Sequence, residues 1–409
     1  MATRATIIGA GISGLSAAYF LGRETEIFEA SSEAGGRVRA ANIGNQWVDL
    51  GAQFIAKEDK HAMGLVKSLG LSKKLKVFDL RNFFVCLKGH KLDSRHLFEL
   101  ASLEIKEIEE LFLFLEGLDE KKFGKLQEEI AHETLEEWYR REFGEEMLWL
   151  IDSMCRTVTF SDAKELSAIF GLAVVSSFVE ECYSFDKGIN EIAISLLKES
   201  KAKINYGSKV NWLEFGKSNR ITVEKNGVNS ELKGGKILST VPAPELARIV
   251  GEKDLVKALN KIEYAGCGVV VFETDEKVFG GKLGAMFPKE KISAAFDATA
   301  RFGNKEGVEE LIVALVPFKG DERPDFAKAA LKSLNEFDRE FESKVRSTTV
   351  VEWELGLPVC SPSLFETQMK IQESCPEGLL VAGDFMGLPS LDASIETALA
   401  CAKGLNKTR

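Results

Sequence analysis

The segment 6–30 constrains the fold of this 409-residue chain most strongly, because four local features coincide there. An apolar run leads into Gly9, Gly11 and Gly14, an apolar helical stretch follows, and a second short strand ends at Glu29. Strand, glycine-rich turn, helix and strand in this order predict a dinucleotide-binding βαβ unit. A glycine-rich turn that binds no ligand is the alternative.

Each part of the predicted unit has a physical task. The first glycine permits the tight turn, the second lets a pyrophosphate approach the backbone, and the third lets the helix pack closely on the sheet. The unpaired N–H groups at the helix start, around Ile12 and Ser13, face the anion. Glu29 lies 20 residues beyond the first glycine, where a carboxylate can accept hydrogen bonds from both hydroxyls of an adenosine ribose.

A second glycine-containing turn follows the second strand. Gly35 and Gly36 allow positive φ angles and bring the chain near the phosphates, which the guanidinium fork of Arg37 can neutralise bidentately. A surface turn with a solvated arginine is the alternative. The segment Asp49-Leu50-Gly51-Ala52-Gln53 comes next.

The pattern E-x-x-x-x-x-G-G-R followed by D-x-G resembles the flavin amine oxidase superfamily, which includes monoamine oxidases, protoporphyrinogen oxidases and phytoene desaturases. The resemblance implies FAD as the cofactor and adds Gly51, Ala52 and Gln53 to its site. It reaches the far end of the chain, where Leu379 to Asp384 is similar to the family's closing strand and turn. Gly383 and Asp384 are therefore expected at the cofactor, with Asp384 accepting a ribityl hydroxyl.

The last segment, residues 390–406, predicts a helix with Asp392 or Ser394 as its N-cap. The resemblance implies that its positive end faces the flavin pyrimidine and stabilises the charge formed on reduction, by about 0.3–1 kcal/mol in ordinary settings. This interpretation places Ser394 at the cofactor. A helix that merely docks the C-terminus is the alternative.

The middle of the chain contributes a further part of the cofactor domain. Segment 209–240 predicts two strands, a hairpin turn at Asn226-Gly227 and a buried third strand. In the family, the equivalent of Val210 contacts the adenine through backbone atoms, and Thr240 is expected near the pyrophosphate edge. A plain β-meander is the alternative.

Cofactor motifs at both ends and in the middle predict an α/β fold with interleaved domains. We assign residues 1–85, 195–265 and 356–409 to a Rossmann-type FAD-binding domain. Residues 86–194 and 266–355 are assigned to a substrate-binding domain of helices and a mixed sheet.

The two inserts of the substrate domain differ in pattern. The region from about residue 92 to 201 is helical in pattern, with apolar residues at Leu97, Leu100, Ile105, Ile108, Leu111, Phe112 and Leu115. The second insert predicts strands at 268–272, 311–318 and 350–355 around one helix, 324–344. The apolar run 111–118 permits a peripheral membrane contact, although a core stripe is favoured.

Composition excludes several classes of protein. A net charge of −10 leaves no basic surplus for nucleic acid, and 45% hydrophobic residues exclude a disordered chain. With no apolar run of membrane-spanning length and no room for a signal peptide before the first strand, we expect a cytoplasmic protein. Seven cysteines without a CxxC pair argue against a disulfide framework and a metal site. Nothing in the sequence indicates the oligomeric state.

The substrate is less constrained. Monoamine and polyamine oxidases carry a lysine on the strand beside the flavin N5, where this chain has Gly268 or Cys267. The tyrosine that forms one wall of the aromatic cage in those enzymes aligns near Ser394. An amine cage is therefore unsupported. Other segments are similar to the protoporphyrinogen oxidase and desaturase branch: Val351 to Pro358, Ser161 to Ala168, and the flavin-side loop Phe185 to Ile189. Lys187 replaces a glycine of that loop, as a solvated residue or as a charge near the substrate.

These observations predict an FAD-dependent oxidoreductase that removes a hydride from a carbon of a bulky, largely apolar small molecule. An amine oxidase, a flavin-binding protein without catalytic turnover and an NAD-dependent dehydrogenase are the alternatives. Because Cys360 lies outside the S-G-G-C pattern of monoamine oxidases, FAD is expected to bind non-covalently. No side chain stands out as a general base, and the electron acceptor is open.

Overall fold

The computed structural model describes residues 5–22, 24–43, 46–80, 82–87, 90–94, 110–111, 113–114, 125–126, 129–178, 181–300 and 310–407. Of the apolar residues predicted to form the stripe of the first insert, all but Leu111 lie outside these ranges. No helix within the described residues is both long and apolar enough to cross a membrane.

The strands, numbered along the chain, are β1 (Thr6–Ile8), β2 (Thr25–Phe28), β3 (Ala40–Ile43), β4 (Gln46–Asp49), β5 (Ile55–Ala56), β6 (Leu75–Asp79), β7 (Phe83–Leu87), β8 (His90–Asp93), β9 (Glu181–Phe185), β10 (Ala202–Asn205), β11 (Ser208–Glu214), β12 (Asn219–Lys225), β13 (Val228–Gly234), β14 (Ile237–Ser239), β15 (Tyr264–Thr274), β16 (Gly284–Met286), β17 (Ala294–Asp297), β18 (Glu310–Phe318), β19 (Val345–Pro358) and β20 (Leu379–Val381).

The α-helices are α1 (Ile12–Leu21), α2 (Lys60–Ser68), α3 (Leu135–Glu142), α4 (Leu148–Thr159), α5 (Ala168–Ser177), α6 (Asn190–Glu199), α7 (Ala243–Ile249), α8 (Lys253–Leu259), α9 (Phe326–Phe337), α10 (Phe341–Lys344), α11 (Leu364–Ser374) and α12 (Leu391–Lys407). Short 3₁₀ turns occur at Ser72–Lys74 and Asp384–Met386.

A parallel five-stranded sheet of order β10-β2-β1-β14-β20 draws its strands from the beginning, middle and end of the chain. Helices α1 and α12 pack against each other beside it, and the small side chains of Ala18 and Ala398 belong to their shared core. Because the carboxyl ends of parallel strands share one edge, the turns that leave β1, β14 and β20 meet there.

A mixed seven-stranded sheet has the order β19-β15-β18-β17-β16-β7-β8, with β16 and β7 parallel and the other pairs antiparallel. Alternate residues of β15 enter two different cores, as the strand period of two requires. Val270 and Phe272 share a core with helix α9, whereas Cys267 and Val269 share one with the β3–β4 hairpin. The fold is thus a mixed α/β fold.

The predicted hairpin turn is confirmed, whereas two other local predictions are wrong. Asn226 and Gly227 join β12 to β13 with positive φ at both positions, as the predicted tight hairpin requires. The helix predicted for 324–344 is two helices, because the chain is extended at Asp338 between α9 and α10. The first insert is not wholly helical, since it also contains β9, which completes a small sheet with β5 and β6.

Candidate cofactor site

The glycine-rich turn after β1 is closely packed except at Gly11. A Cβ atom added to Gly14 would lie 2.0 Å from the Gly9 carbonyl oxygen, so this helix position requires glycine. The Thr240 hydroxyl donates hydrogen bonds to the carbonyls of Ile8 (2.8 Å) and Gly9 (3.1 Å) and so braces the turn from β14. A Cβ atom at Gly11 would meet no protein atom within 4 Å.

Helix α1 begins with features that favour an anion. Gly11 is its N-cap and contributes no side-chain cap, and the first turn contains no acidic residue. Ile12 and Ser13, the first helical residues, are buried. The helix start is therefore available to an anionic ligand that reaches the open space at Gly11.

The Glu29 carboxylate faces the same turn. One of its oxygens accepts from the Ala10 N–H at 2.7 Å, and the other accepts from both the N–H and the hydroxyl of Ser31 at 2.8 Å. A carboxylate has about four acceptor positions, so capacity for ligand hydroxyls remains. Glu29 thus lies at the turn, where the sequence placed the ribose.

The second glycine turn packs against the first. Gly35 donates its N–H to the Ala10 carbonyl at 2.8 Å, and both Gly35 (φ 111°) and Gly36 (φ 57°) have positive φ angles, as predicted. A Cβ atom at Gly36 would lie 3.2 Å from the Gly11 Cα. The two turns together form a narrow cradle of backbone atoms.

Arg37 and Asp384 form an ion pair that joins the two ends of the chain. The guanidinium donates to both Asp384 carboxylate oxygens, at 2.6 and 3.0 Å, and to the Gly356 carbonyl at 2.9 Å. Burial is the largest single influence on the pKa of Arg37 and lowers it, but the charges of Asp384 and Tyr264 and the hydrogen bond to Asp384 together outweigh burial, so the pKa is raised. The Arg37 guanidinium, which the sequence assigned to the phosphates, therefore binds the Asp384 carboxylate, which the sequence assigned to the ribityl chain. Sequence patterns gave no sign of this pairing.

The segment Gly51-Ala52-Gln53 is held against Arg37 by its backbone. The Ala52 N–H donates to the Arg37 carbonyl at 3.0 Å, and a Cβ atom at Gly51 would lie 1.8 Å from that oxygen. The Gln53 amide donates to the carbonyls of Asp49 and Gly51. Gly51 is therefore a close-approach glycine.

Asp49 has a positioning task that the sequence analysis missed. Its buried carboxylate accepts from the Ile189 N–H at 2.9 Å, and a Cβ atom at Gly188 would lie 2.3 Å from the same oxygen. Asp49 thus holds the loop that the resemblance placed beside the flavin. Lys187 of this loop is exposed, in agreement with its interpretation as a solvated residue.

The closing helix α12 begins as predicted, but with another cap. The Ser390 hydroxyl accepts from the Ala393 N–H at 3.0 Å, so Ser390 is the capping residue. The Asp392 carboxylate instead accepts from the Ala62 N–H and pairs with His61 Nδ1. Ser394 is buried and donates its hydroxyl to the Ser390 carbonyl at 3.1 Å. The predicted N-caps Asp392 and Ser394 are wrong, since each lies inside the helix.

Other predicted positions lie as follows. Val210 is buried in β11, and Gly383 donates its N–H to the Thr397 hydroxyl at 3.0 Å. Gly268 points to helix α9, because a Cβ atom there would lie 2.3 Å from the Phe326 ring. Of the two positions that the sequence left open on β15, only Cys267 faces the β3–β4 hairpin.

One open groove of about 730 Å³ lies elsewhere, lined by Trp212, Val250, Gly251, Lys253, Val256, Lys257, Asn260 and Lys261. It contains none of the predicted cofactor residues. This groove is therefore separate from the junction of the glycine turns, Arg37 and Asp384.

Comparison with known proteins agrees with this geometry. Residues 12–384 match the family described as flavin containing amine oxidoreductase. Protoporphyrinogen oxidase 2 of Arabidopsis thaliana is 28% identical over 172 residues, which are 40% of this chain and 34% of the relative. The flavin-dependent L-tryptophan oxidase RebO of Lentzea aerocolonigenes is 24% identical over 312 residues, 66% of this chain and 65% of the relative. The chain thus spans about a third to two thirds of these curated relatives.

A solved structure shows the same fold. Cyclohexylamine oxidase from Brevibacterium oxydans IH-35A superposes with a TM-score of 0.71 at 15% identity, covering 100% of this chain and 99% of that one. The match over 12–384 establishes that this chain belongs to the flavin-containing amine oxidoreductase family, a family of FAD-dependent oxidoreductases. Its cofactor is FAD.

The described residues fit FAD. The open space at Gly11, the helix start without an acidic residue and the carboxylate of Glu29 provide a backbone cradle, an anion site and a hydroxyl acceptor. All three lie at the carboxyl edge of the parallel sheet, where open α/β sheets bind their ligands.

Proposed function

We propose that this protein is an FAD-dependent oxidoreductase that removes a hydride from a carbon of a bulky, largely apolar small molecule. Three discontinuous segments, 1–85, 195–265 and 356–409, would bind the cofactor, and 86–194 and 266–355 would bind the substrate. The residues proposed to hold FAD are Gly9, Gly11, Ile12, Ser13, Gly14, Glu29, Gly35, Gly36, Arg37, Gly51, Ala52, Gln53, Val210, Thr240, Gly383, Asp384 and Ser394.

The observation that supports an apolar substrate is the apolar character of the buried sheet face next to Gly51. There the side chains of Cys267 and Val269 lie in one apolar cluster with Leu50, to which Phe160 and Trp353 contribute half-buried rings. The Trp353 indole donates to the Leu50 carbonyl at 2.5 Å, directly before Gly51, and so joins this face to the cofactor segment.

The same face gives little support to an amine oxidase. Burial raises the pKa of the Cys267 thiol to about 12, so this side chain stays neutral where amine oxidases have a lysine. The relatives include proteins named for porphyrinogen and for amine substrates, and the neutral, apolar face favours the former.

The cysteines support non-covalent binding. Burial raises the pKa of the Cys360 thiol to about 12, and its sulfur lies 3.8 Å from the Ser167 hydroxyl. A thiol that stays protonated is a poor nucleophile, so neither Cys360 nor Cys267 is suited to attack the flavin ring.

When bound, FAD would supply the hydride acceptor. The task of the chain would be to orient the substrate carbon against it, to exclude water and to offer the positive end of α12 to negative charge. No general base is assigned.

We expect anaerobic mixing of the FAD-loaded protein with porphyrinogens, polyene precursors and amines to bleach the flavin with a porphyrinogen or another apolar ring or polyene. Bleaching by amines alone would contradict the proposed substrate class and favour the amine oxidase. A flavin that dithionite reduces but no substrate bleaches would favour a flavin-binding protein without turnover.

A further inference from the structure

Tyr264, the first residue of β15, lies where the two large sheets meet. It pairs with Pro358 of β19, and the neighbouring Gly356 carbonyl accepts a hydrogen bond from Arg37. Tyr264 therefore adjoins the Arg37–Asp384 pair without belonging to any motif of the sequence analysis.

The phenol is held from the opposite side by the parallel sheet. Its oxygen accepts a hydrogen bond from the Ala243 N–H at 3.2 Å, at the first residue of α7. The preceding turn leaves β14 through Thr240, whose hydroxyl braces Gly9. The phenolic oxygen is thus fixed between the exit of β14 and the Arg37–Asp384 pair, at the edge where FAD is proposed to bind.

The phenolic proton remains to be donated. Among the described residues, no protein group accepts this proton, and Tyr264 is partly buried against the core. Burial and then the charge of Asp384 raise the pKa of Tyr264, while the charge of Arg37 lowers it. The group keeps its proton at physiological pH, and a buried hydroxyl normally finds an acceptor.

We propose that Tyr264 is a further cofactor-positioning residue that donates its phenolic proton to a ribityl oxygen of FAD beside the Arg37–Asp384 pair. The Ala243 N–H orients the phenol for this task. The inference rests on the proposed FAD site and adds a polar contact from the strand that begins the substrate-side sheet.

Titrating Tyr264→Phe apoprotein with FAD and, separately, with ADP tests the inference. FAD should bind about 3- to 10-fold more weakly, as for loss of one ordinary hydrogen bond. ADP lacks the riboflavin half, so its affinity should stay within about twofold. Tyr183→Phe is the matched control, because within the described part of the chain its hydroxyl bonds only the exposed Glu181 side chain, and it should change neither affinity.

The outcomes are distinguishable. An equal loss of FAD and ADP affinity would show that Tyr264 only supports the β14–α7 turn, and unchanged FAD affinity would show that the phenol does not contact the cofactor. Either result overturns the inference. Failure of the unmodified protein to bind FAD would instead contradict the proposed function.

Discussion

Replacing Glu29 with alanine is expected to weaken FAD binding by about 10- to 100-fold. The substitution removes charge-assisted hydrogen bonds worth roughly 1.5–3 kcal/mol, and each 1.4 kcal/mol changes the dissociation constant tenfold. It also removes the acceptor that fixes the Ala10 N–H at 2.7 Å, in the first glycine-rich turn. The dissociation constant can be measured by flavin fluorescence on adding FAD to apoprotein.

Glu26→Ala is the matched control for this experiment. Glu26 lies on the same strand, but its carboxylate accepts from Asn205 at 3.1 Å and Lys203 at 3.3 Å, away from the glycine turns. We expect FAD affinity to change by less than about twofold. Equal FAD retention by both variants after dialysis would show that Glu29 does not bind the ribose.

The second large effect is a difference between alanine substitutions at Gly14 and at Gly11, two glycines of the same motif. Gly14→Ala would place a Cβ atom 2.0 Å from the Gly9 carbonyl oxygen, so the backbone of the turn must move. We expect the free energy of unfolding of the apoprotein to fall by about 3 kcal/mol, the upper end of ordinary overpacking. Gly11→Ala adds a methyl group to open space at φ −69°, which alanine adopts without strain.

Gly11→Ala should therefore leave the apoprotein as stable as the parent while weakening FAD binding, because the methyl group enters the space assigned to the pyrophosphate. Urea unfolding of both apoproteins and FAD titration of Gly11→Ala provide the comparison. Normal FAD affinity in Gly11→Ala would show that the pyrophosphate does not approach this turn. Full stability in Gly14→Ala would contradict the close packing of α1.

The parts of the fold that were predictable from sequence are those set by local pattern. The glycine spacing, the Asn226-Gly227 turn and the closing strand follow from φ requirements and apolar runs, which act within a few residues. The break between α9 and α10 was missed, because Asp338 interrupts the helix without a proline or glycine to mark it.

The long-range pairs could not be predicted. Arg37 and Asp384 are 347 positions apart, and each had a separate cofactor role by resemblance. Their pairing depends on how β20 meets the second glycine turn, which no sequence period encodes. Likewise, aspartate is a favoured N-cap residue, but the Asp392 carboxylate accepts from the Ala62 N–H at the start of α2, and Ser390 is the cap.

The faces on which Gly268 and Cys267 of β15 lie could not be predicted from the sequence. Alignment with the family's strand left Gly268 and Cys267 as equal choices, and strand alternation places them on opposite faces. Only packing against Phe326 of α9 identifies the face of Gly268. A lysine introduced at Gly268 would therefore enter the α9 core rather than the face that packs on the β3–β4 hairpin.

Titration of purified apoprotein with FAD, followed by acid precipitation, tests the central claim most directly. We predict saturation at one FAD per chain and release of all yellow flavin to the supernatant. A protein that does not bind FAD but binds nicotinamide nucleotides would contradict an FAD site formed by the two ends of the chain. A yellow pellet would contradict non-covalent binding and point to Cys360 or another cysteine.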